Sequence, residues 1–156
     1  MLLFMRCANR QVTLSVQGVD RKRDEYKGCG GTIHMEKTNE KYGAYIQILR
    51  EELIPAMGCT EPIAVAYAAA VARQTLGELP DKVIVGASGS IIKNVKSVIV
   101  PNTDNMKGLN TAAAAGIVAG KPEKELEVIA EVTPEQTEEI KEFLKTAEIT
   151  VEHVEN

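Results

Sequence analysis

The chain has 156 residues, of which 44% are hydrophobic and 26% charged, a balance typical of one folded domain and not of a disordered chain. Its net charge of −4 argues against nucleic acid as a main partner, because a phosphate backbone needs a concentrated basic face. No apolar run reaches membrane-spanning length, and three cysteines without paired spacing do not describe a secreted disulfide framework. We therefore expect a cytoplasmic protein without a membrane partner.

The chain falls into two unequal parts. In the first 34 residues, Val12, Leu14 and Val16 alternate like a short strand, but no periodic pattern follows them. From Met35 onward, nearly every helix and strand has a recognisable sequence pattern. We interpret residues 1–34 as a non-native leader, upstream sequence read in frame, or as a genuine flexible extension. Residues 35–156 then form the domain.

Two helices open this domain. The second is expected to start at Thr60-Glu61-Pro62, which offers a hydroxyl cap, an acid in the first turn and a proline whose missing N–H costs nothing there. Its many alanines, up to Gly77, indicate a buried helix that its neighbours approach closely. The first helix is predicted from an apolar face ended by Pro55. That face consists of Tyr42, Tyr45, Ile46, Leu49 and Leu53.

The remaining elements alternate between strand and helix. Val83-Ile84-Val85 and Val98-Ile99-Val100 predict two strands of a hairpin, extended by residues 91–94. A third helix is rich in small residues, Ala112 to Ala115, and is expected to end near Gly120 and Pro122. Residues 126–130 form either a strand or a helical turn.

Thr133-Pro134-Glu135-Gln136 is a capping box that starts a fourth helix, and alternation at Ile149 and Val151 predicts a final or edge strand. The predicted fold is α+β, a small mixed β-sheet packed against four helices in the order αα-ββ-α-β-α-β. The third β element is the ambiguous segment 126–130.

Cys59 is the residue most suggestive of chemistry. It directly precedes the second helix, whose N-terminal partial positive charge is expected to lower the thiol pKa and favour the thiolate. A thiolate serves as a nucleophile or as a ligand for a soft metal. Glu61 is a candidate proton carrier, or a routine first-turn carboxylate. The alternative for Cys59 is a small apolar filler of the core.

Polar residues also cluster near the predicted strand ends. Ser88-Gly89-Ser90 and Asn102-Thr103 suit a carboxylate or another small anion, although the same residue types are ordinary turn formers. Lys93-Asn94 is typical of a solvated hairpin pair. His34 and His153 have no ligand partner at a useful spacing, and the sequence contains no zinc pair, phosphate loop or nucleotide fingerprint.

Three motifs together resemble a known family. They are Met57-Gly58-Cys59-Thr60-Glu61-Pro62-Ile63-Ala64, then Ser88-Gly89-Ser90-Ile91-Ile92-Lys93-Asn94, and Val100-Pro101-Asn102-Thr103 with Lys107-Gly108. In this order they closely resemble the N-terminal region of the L-cysteine desulfidase family, which is related to bacterial iron–sulfur L-serine dehydratases. The likeness runs from about Met35 to the C-terminus.

The resemblance implies a lyase with a [4Fe–4S] cluster on three cysteines, of which Cys59 would be the first. It implies α,β-elimination on L-cysteine, giving pyruvate, ammonia and sulfide, or on L-serine. A base removes the Cα proton, and the thiolate or hydroxide departs toward an open iron. The residues implied to hold the amino acid are Thr60, Ser88, Ser90, Asn94, Asn102 and Thr103.

Two features depart from the family pattern. The other two cluster cysteines belong to a C-terminal half, and neither Cys7 nor Cys29 matches them. We therefore expect a separate C-terminal half or subunit and no activity from this chain alone, with a homo-oligomer left open. Asp104-Asn105 stands where the family often has glycines, which puts in doubt the loop expected to close on the substrate.

Two other functions compete with the lyase. The first is a non-catalytic module that binds an amino acid or small anion. The second is a thiol-redox protein using Cys59, which is disfavoured because no resolving cysteine is suitably placed.

Overall fold

The computed structural model describes residues 2–7, 10–15 and 40–155. The chain divides into two units, one made of residues 1–17 with 56–156 and the other of residues 18–55. In the smaller unit, helix α1 spans Glu40–Glu52, and the Leu53 amide extends it by donating to the Leu49 carbonyl at 3.0 Å. The first predicted helix is confirmed.

The larger unit contains a four-stranded sheet in the order β2-β1-β3-β4. Strands β1 (Leu2–Cys7) and β2 (Arg10–Ser15) are antiparallel, and β1 is also antiparallel to β3 (Lys82–Ala87). Strand β4 (Glu148–His153) pairs with β3 in parallel and lies at the edge. The sheet is therefore mixed, as predicted, and the fold is α+β.

The segment interpreted as a leader supplies two of these strands. Val12 and Leu14 lie in β2, in line with their alternation. Met5 of β1 is fully buried and pairs with Val83 of β3. Residues 16–39 lie outside the part that the structure describes.

Helix α2 spans Thr60–Leu76, α4 spans Gly108–Ala119 and α5 spans Pro134–Thr146, which confirms the second, third and fourth predicted helices. The capping box of α5 is also confirmed. The Thr133 hydroxyl accepts from the Gln136 amide at 3.3 Å, and the Thr133 amide donates to Gln136 Oε1 at 3.0 Å.

The predicted hairpin is wrong. Its proposed extension is helix α3, Gly89–Val95, and Ile99 forms only an isolated bridge with Lys107. Both edges of β3 are occupied by β1 and β4, so no edge is left for a strand at residues 98–100. The ambiguous segment is the end of a 3-10 helix, Pro122–Glu127, followed by turns.

Small residues bring α2 and α4 into direct contact. A Cβ added to Gly116 would overlap the carbonyl oxygen of Ala66, so the two backbones meet without an intervening side chain. Buried Val83, Val85 and Ala87 of β3 belong to the same apolar core. The alanine-rich sequence of α2 thus corresponds to the close approach that it predicted.

Candidate functional site

Helix α2 begins one residue earlier than its capping signals suggested. Its N-cap is Cys59, in an extended conformation with φ −71° and ψ 124°, and Thr60 is the first helical residue. The expected cap at Thr60 is therefore wrong. Pro62 becomes the third helical residue, where it is still tolerated because the first four N–H groups of a helix have no intrahelical acceptor.

Cys59, Glu61 and Asn94 form a hydrogen-bonded chain at this helix entrance. Cys59 is exposed, and its Sγ donates to Glu61 Oε2 at 2.9 Å. The Asn94 amide donates to the other carboxylate oxygen, Oε1, at 3.2 Å. Two predicted motifs, on α2 and α3, thus meet at one carboxylate.

The expected lowering of the Cys59 pKa is wrong. The hydrogen bond to Glu61 raises this pKa, because it stabilises the protonated thiol and places a negative charge beside it. Hydrogen bonds from Cys59 and then Asn94 lower the Glu61 pKa. The helix entrance therefore holds a neutral thiol beside an ionised carboxylate, since the partial charge of the helix is outweighed by a full charge.

The turn that carries Cys59 rests on two other segments. Gly58 has φ 75°, and a Cβ there would lie 3.4 Å from Pro101 Cγ. The Met57 amide donates to the Leu126 carbonyl at 3.3 Å, and the Asn102 amide lies 3.7 Å from the Met57 sulfur. The third predicted motif therefore adjoins the first.

Asn102, which is exposed, and Thr103, which is buried, both direct their side chains to backbone carbonyl groups. Asn102 Nδ2 donates to the carbonyls of Ile129 at 3.1 Å and Ala130 at 2.9 Å. Thr103 is fully buried, and its hydroxyl donates to the Val100 carbonyl at 2.8 Å. These bonds hold the loop that leads into α4.

The same loop contains three non-glycine residues in the left-handed region. Asn102 and Asp104 have φ 55°, and Asn105 has φ 61°. Asp104 also pairs with Lys141 of α5 at 2.9 Å. Asp104-Asn105 therefore adopts the backbone that glycine would favour, with the aspartate side chain fastened to a neighbouring helix.

A cavity of about 350 Å³ lies between this loop and the start of α5. Lys141 bridges two of the carboxylates in this region, Asp104 and Glu138. Cys59 is not among the lining residues, which are Asn102, Asp104, Val132, Pro134, Thr137 and Glu138.

Ser88, Gly89 and Ser90 form the entrance of α3 and not a hairpin turn. Ser88 is the N-cap, but its side chain makes no capping hydrogen bond. The parallel register pairs Ala87 with His153, and His153 Nε2 would lie 3.5 Å from a Cβ placed on Gly89. Sequence reasoning set His153 aside, because only the pairing of distant strands brings it to this position.

Thr60, Ser90 and Asn94 are all exposed, while Ser88 is half-buried. The structure thus joins Asn94 to the Cys59 chain and leaves the Thr60, Ser88 and Ser90 hydroxyls accessible.

The structure does not place Cys59 in a cluster of candidate metal ligands within residues 2–7, 10–15 and 40–155. These residues contain no group of three or more His, Cys, Asp or Glu side chains able to hold a metal ion. Cys29 and His34 lie outside them. In the same part of the chain, no helix is both long and apolar enough to cross a membrane.

The chain is similar to several curated proteins named UPF0597. It is 55% identical to the one from Desulfitobacterium hafniense over 119 residues, 76% of this chain and 28% of the relative. It is 52% identical to the one from Treponema denticola over 110 residues, and 49% identical to one from Shewanella baltica over 111 residues. These matches cover 70% and 71% of this chain, and 26% of each relative.

The chain thus spans between a quarter and a third of the length of the curated relatives that it matches. Their names state no reaction or cofactor. No family model matches the chain, and no solved structure matches it.

Proposed function

We propose that the chain is the N-terminal, substrate-side part of an iron–sulfur-dependent lyase that performs α,β-elimination on L-cysteine or L-serine. The observation that carries this proposal is the exposed Cys59 thiol, 2.9 Å from a Glu61 carboxylate that Asn94 also holds. Two of the three motifs that resemble the desulfidase family contain these residues. A thiol, an acid and an amide meeting at an open helix entrance suit a site that binds a metal group and a small polar substrate.

Cys59 fits the role of one cluster ligand. Its sulfur is exposed, so a metal group can approach it without displacing core side chains. A [4Fe–4S] cluster held by three cysteines supplies Lewis acidity at its fourth iron. The remaining ligands must come from another polypeptide, or from the part of the relatives that this chain does not span. The proposal therefore includes that partner, and the chain alone is expected to be inactive.

Each residue of the helix entrance has a separate task. Cys59 loses its proton when it binds a metal, because the thiolate is the ligand. Glu61 is the carboxylate closest to that sulfur and is the candidate to hold or move a proton. Asn94 orients Glu61 through the bond to Oε1, which leaves Oε2 facing Cys59. The Thr60 hydroxyl is exposed one residue beyond Cys59 and is a candidate donor to the substrate.

The reaction balances without a redox partner. The Cα–H and Cβ–S bonds of L-cysteine break, a base takes the Cα proton, and the departing thiolate becomes sulfide. The aminoacrylate product adds water and releases ammonia to give pyruvate. Asn102 and Thr103 support this site indirectly, because their bonds hold the loop on which the Cys59 turn rests.

Anaerobic reconstitution tests the proposal. The chain is co-expressed with a polypeptide that covers the rest of a UPF0597 relative and is supplied with iron and sulfide. We expect a cluster absorption band, and pyruvate from L-cysteine or L-serine. Cys59→Ser should abolish both signals, whereas the matched controls Cys7→Ser and Cys29→Ser should retain them. A cluster that forms equally well in Cys59→Ser would refute the assignment.

The binding module remains the second candidate, favoured by the exposed Thr60 and Ser90 side chains, which offer hydroxyls to a small polar ligand. It predicts saturable binding of serine or cysteine by the wild-type chain, with neither cluster nor turnover after reconstitution. If the chain binds serine and also forms a cluster that requires Cys59, the lyase is favoured over the binding module.

A further inference from the structure

We propose that the exposed apolar face of helix α1 is the docking surface for the part of the UPF0597 relatives that this chain does not span. That part is expected to bring the remaining cluster ligands to Cys59, so the inference rests on the proposed function for its choice of partner. The surface itself lies outside all three motifs. The proposal holds whether that part continues this chain or is a separate polypeptide.

Four large apolar side chains lie along one side of α1. Tyr45, Ile48 and Leu49 are each about half exposed, and Leu53 is 69% exposed. They follow Tyr45 at intervals of three, four and eight residues, which places them on one face of the helix. The Leu53 amide donates to the Leu49 carbonyl, so Leu53 continues this face beyond Glu52.

The other side of α1 is polar. Gln47 Nε2 donates to Glu51 Oε1 at 2.8 Å, one helical turn further on, and both side chains are exposed. Soluble proteins rarely leave a contiguous apolar face uncovered. Amphipathic helices of this kind bind by laying the apolar face into a hydrophobic groove of a partner. We therefore expect a partner on the Tyr45 side of the helix.

Two observations identify this partner as the rest of the relatives. The chain corresponds to 28% of the relative from Desulfitobacterium hafniense, so most of that protein is available to cover a surface exposed in this chain. Leu53 lies only six positions before Cys59, and an extended backbone of that length spans at most about 22 Å. A polypeptide that supplies ligands to a cluster at Cys59 must therefore come close to the end of α1.

A second copy of the chain fits the face less well. Helix α1 has 13 residues, so it is about 20 Å long and about 10 Å wide, which presents a strip of roughly 200 Å². Two such helices side by side would bury much less than the roughly 800 Å² per partner of a stable interface. A groove in a larger polypeptide can enclose the helix and extend the contact beyond it.

Calorimetric titration of the full chain with a polypeptide that covers the rest of the Desulfitobacterium hafniense relative tests the docking without requiring a cluster. Leu49→Glu places a charge in the middle of the apolar face. Gln47→Glu introduces the same side chain on the opposite face and is the matched control. Cys59→Ser leaves α1 intact and removes the proposed cluster ligand. The urea midpoint of each free variant shows whether its fold is retained.

We expect Leu49→Glu to weaken binding at least about thirtyfold, the effect of losing a central apolar anchor, and Gln47→Glu to change it less than about threefold. Wild-type affinity in Leu49→Glu, or no binding by the wild-type chain, would overturn the docking surface. So would a lower urea midpoint for Leu49→Glu than for Gln47→Glu, which would show that the face is covered within the chain. A wild-type dimer that Leu49→Glu dissociates would assign the face to a second copy and also overturn the proposal.

The docking surface and the lyase can fail separately. Cys59→Ser should bind the polypeptide as the wild type does, because docking does not use the sulfur. Binding that requires Leu49, with no cluster after reconstitution, would overturn the lyase alone. A cluster that requires Cys59 and forms in a Leu49→Glu complex of wild-type affinity would overturn the docking surface alone.

Discussion

The thiol of Cys59 donates a hydrogen bond to the carboxylate of Glu61 across 2.9 Å. The two residues are the N-cap and the second residue of α2, so a local turn of backbone is enough to bring them together. The position of Cys59 alone favours the thiolate, whereas its neighbour keeps the proton on sulfur. Any metal or electrophile that takes this sulfur must displace the proton.

Replacement of Glu61 by Gln should lower the Cys59 pKa, because the negative acceptor that stabilises the thiol is removed. The pH profile of iodoacetamide alkylation, measured with Cys7 and Cys29 replaced by Ser, should shift to lower pH. Glu135→Gln is the matched control, since Glu135 is also the second residue of its helix. An unchanged or upward-shifted profile for Glu61→Gln would contradict the assigned cause.

Glu131 should contribute to stability in a pH-dependent way. Hydrogen bonds from Lys121 and then Lys124 lower its pKa from 4.5 to about 2. Because the folded pKa is below the unfolded one, this contribution is complete above about pH 4.5 and is lost as the pH falls through 2.

Wild type should therefore unfold at a higher urea concentration than Glu131→Gln at about pH 5, and this difference in midpoint should become smaller as the pH falls to about 2. Added salt should also reduce this difference at every pH, since all three side chains are at least a third exposed to solvent. Glu139→Gln, at an exposed site in α5, controls for the change in net charge. A constant difference across this pH range would refute the ion-pair explanation.

Asn102→Asp should destabilise the protein by about 2 kcal/mol, because it replaces an amide donor by a carboxylate facing two carbonyl oxygens. Aspartate keeps the size of the side chain and also visits the left-handed region, so shape and backbone conformation change little. The same substitution at Asn105, an exposed residue with φ 61°, should cost less than about 0.5 kcal/mol. Urea unfolding measures the free energy of unfolding of both variants. Equal decreases in the two variants would show that the Asn102 side-chain amide does not anchor the loop.

Gly116→Ala should cost about 3 kcal/mol or prevent folding, because the new methyl group has no space beside the Ala66 backbone. Backbone atoms in two packed helices cannot move aside as the end of a flexible side chain can. In Gly43→Ala the added Cβ meets nothing within 4 Å, so that helical control should be neutral or slightly stabilising. Urea unfolding of Gly116→Ala with a wild-type midpoint would contradict the close contact.

Features that depend on nearby residues could be predicted from the sequence. Four or five consecutive residues determine the capping box at Thr133. The same holds for the helix end at Gly77, which has φ 85°. The strand around Val83 is predictable for the same reason, since its apolar run and the preceding turn are contiguous.

Features that depend on residues distant in the sequence could not be predicted. The run Val98-Ile99-Val100 has the composition of a strand, but whether it pairs depends on β1 and β4 having already occupied β3. The position of Cys59 could be predicted, whereas its pKa direction depends on the rotamers of Cys59 and Glu61. The hydrogen bond of Asn94 with Glu61 and the pairing of His153 with Ala87 join segments that no local pattern relates.

The contact between α2 and α4 also determines the direction of these helices. Gly116 meets Ala66 and Gly120 meets Ala70, so both chains advance four residues together and the helices run parallel. Both helices therefore start at the same end, with their peptide dipoles aligned side by side. The carboxylate of Glu61 lies in the first turn of α2 and is attracted by the positive terminus of that helix, while α4 presents its own positive terminus at the same end of the pair.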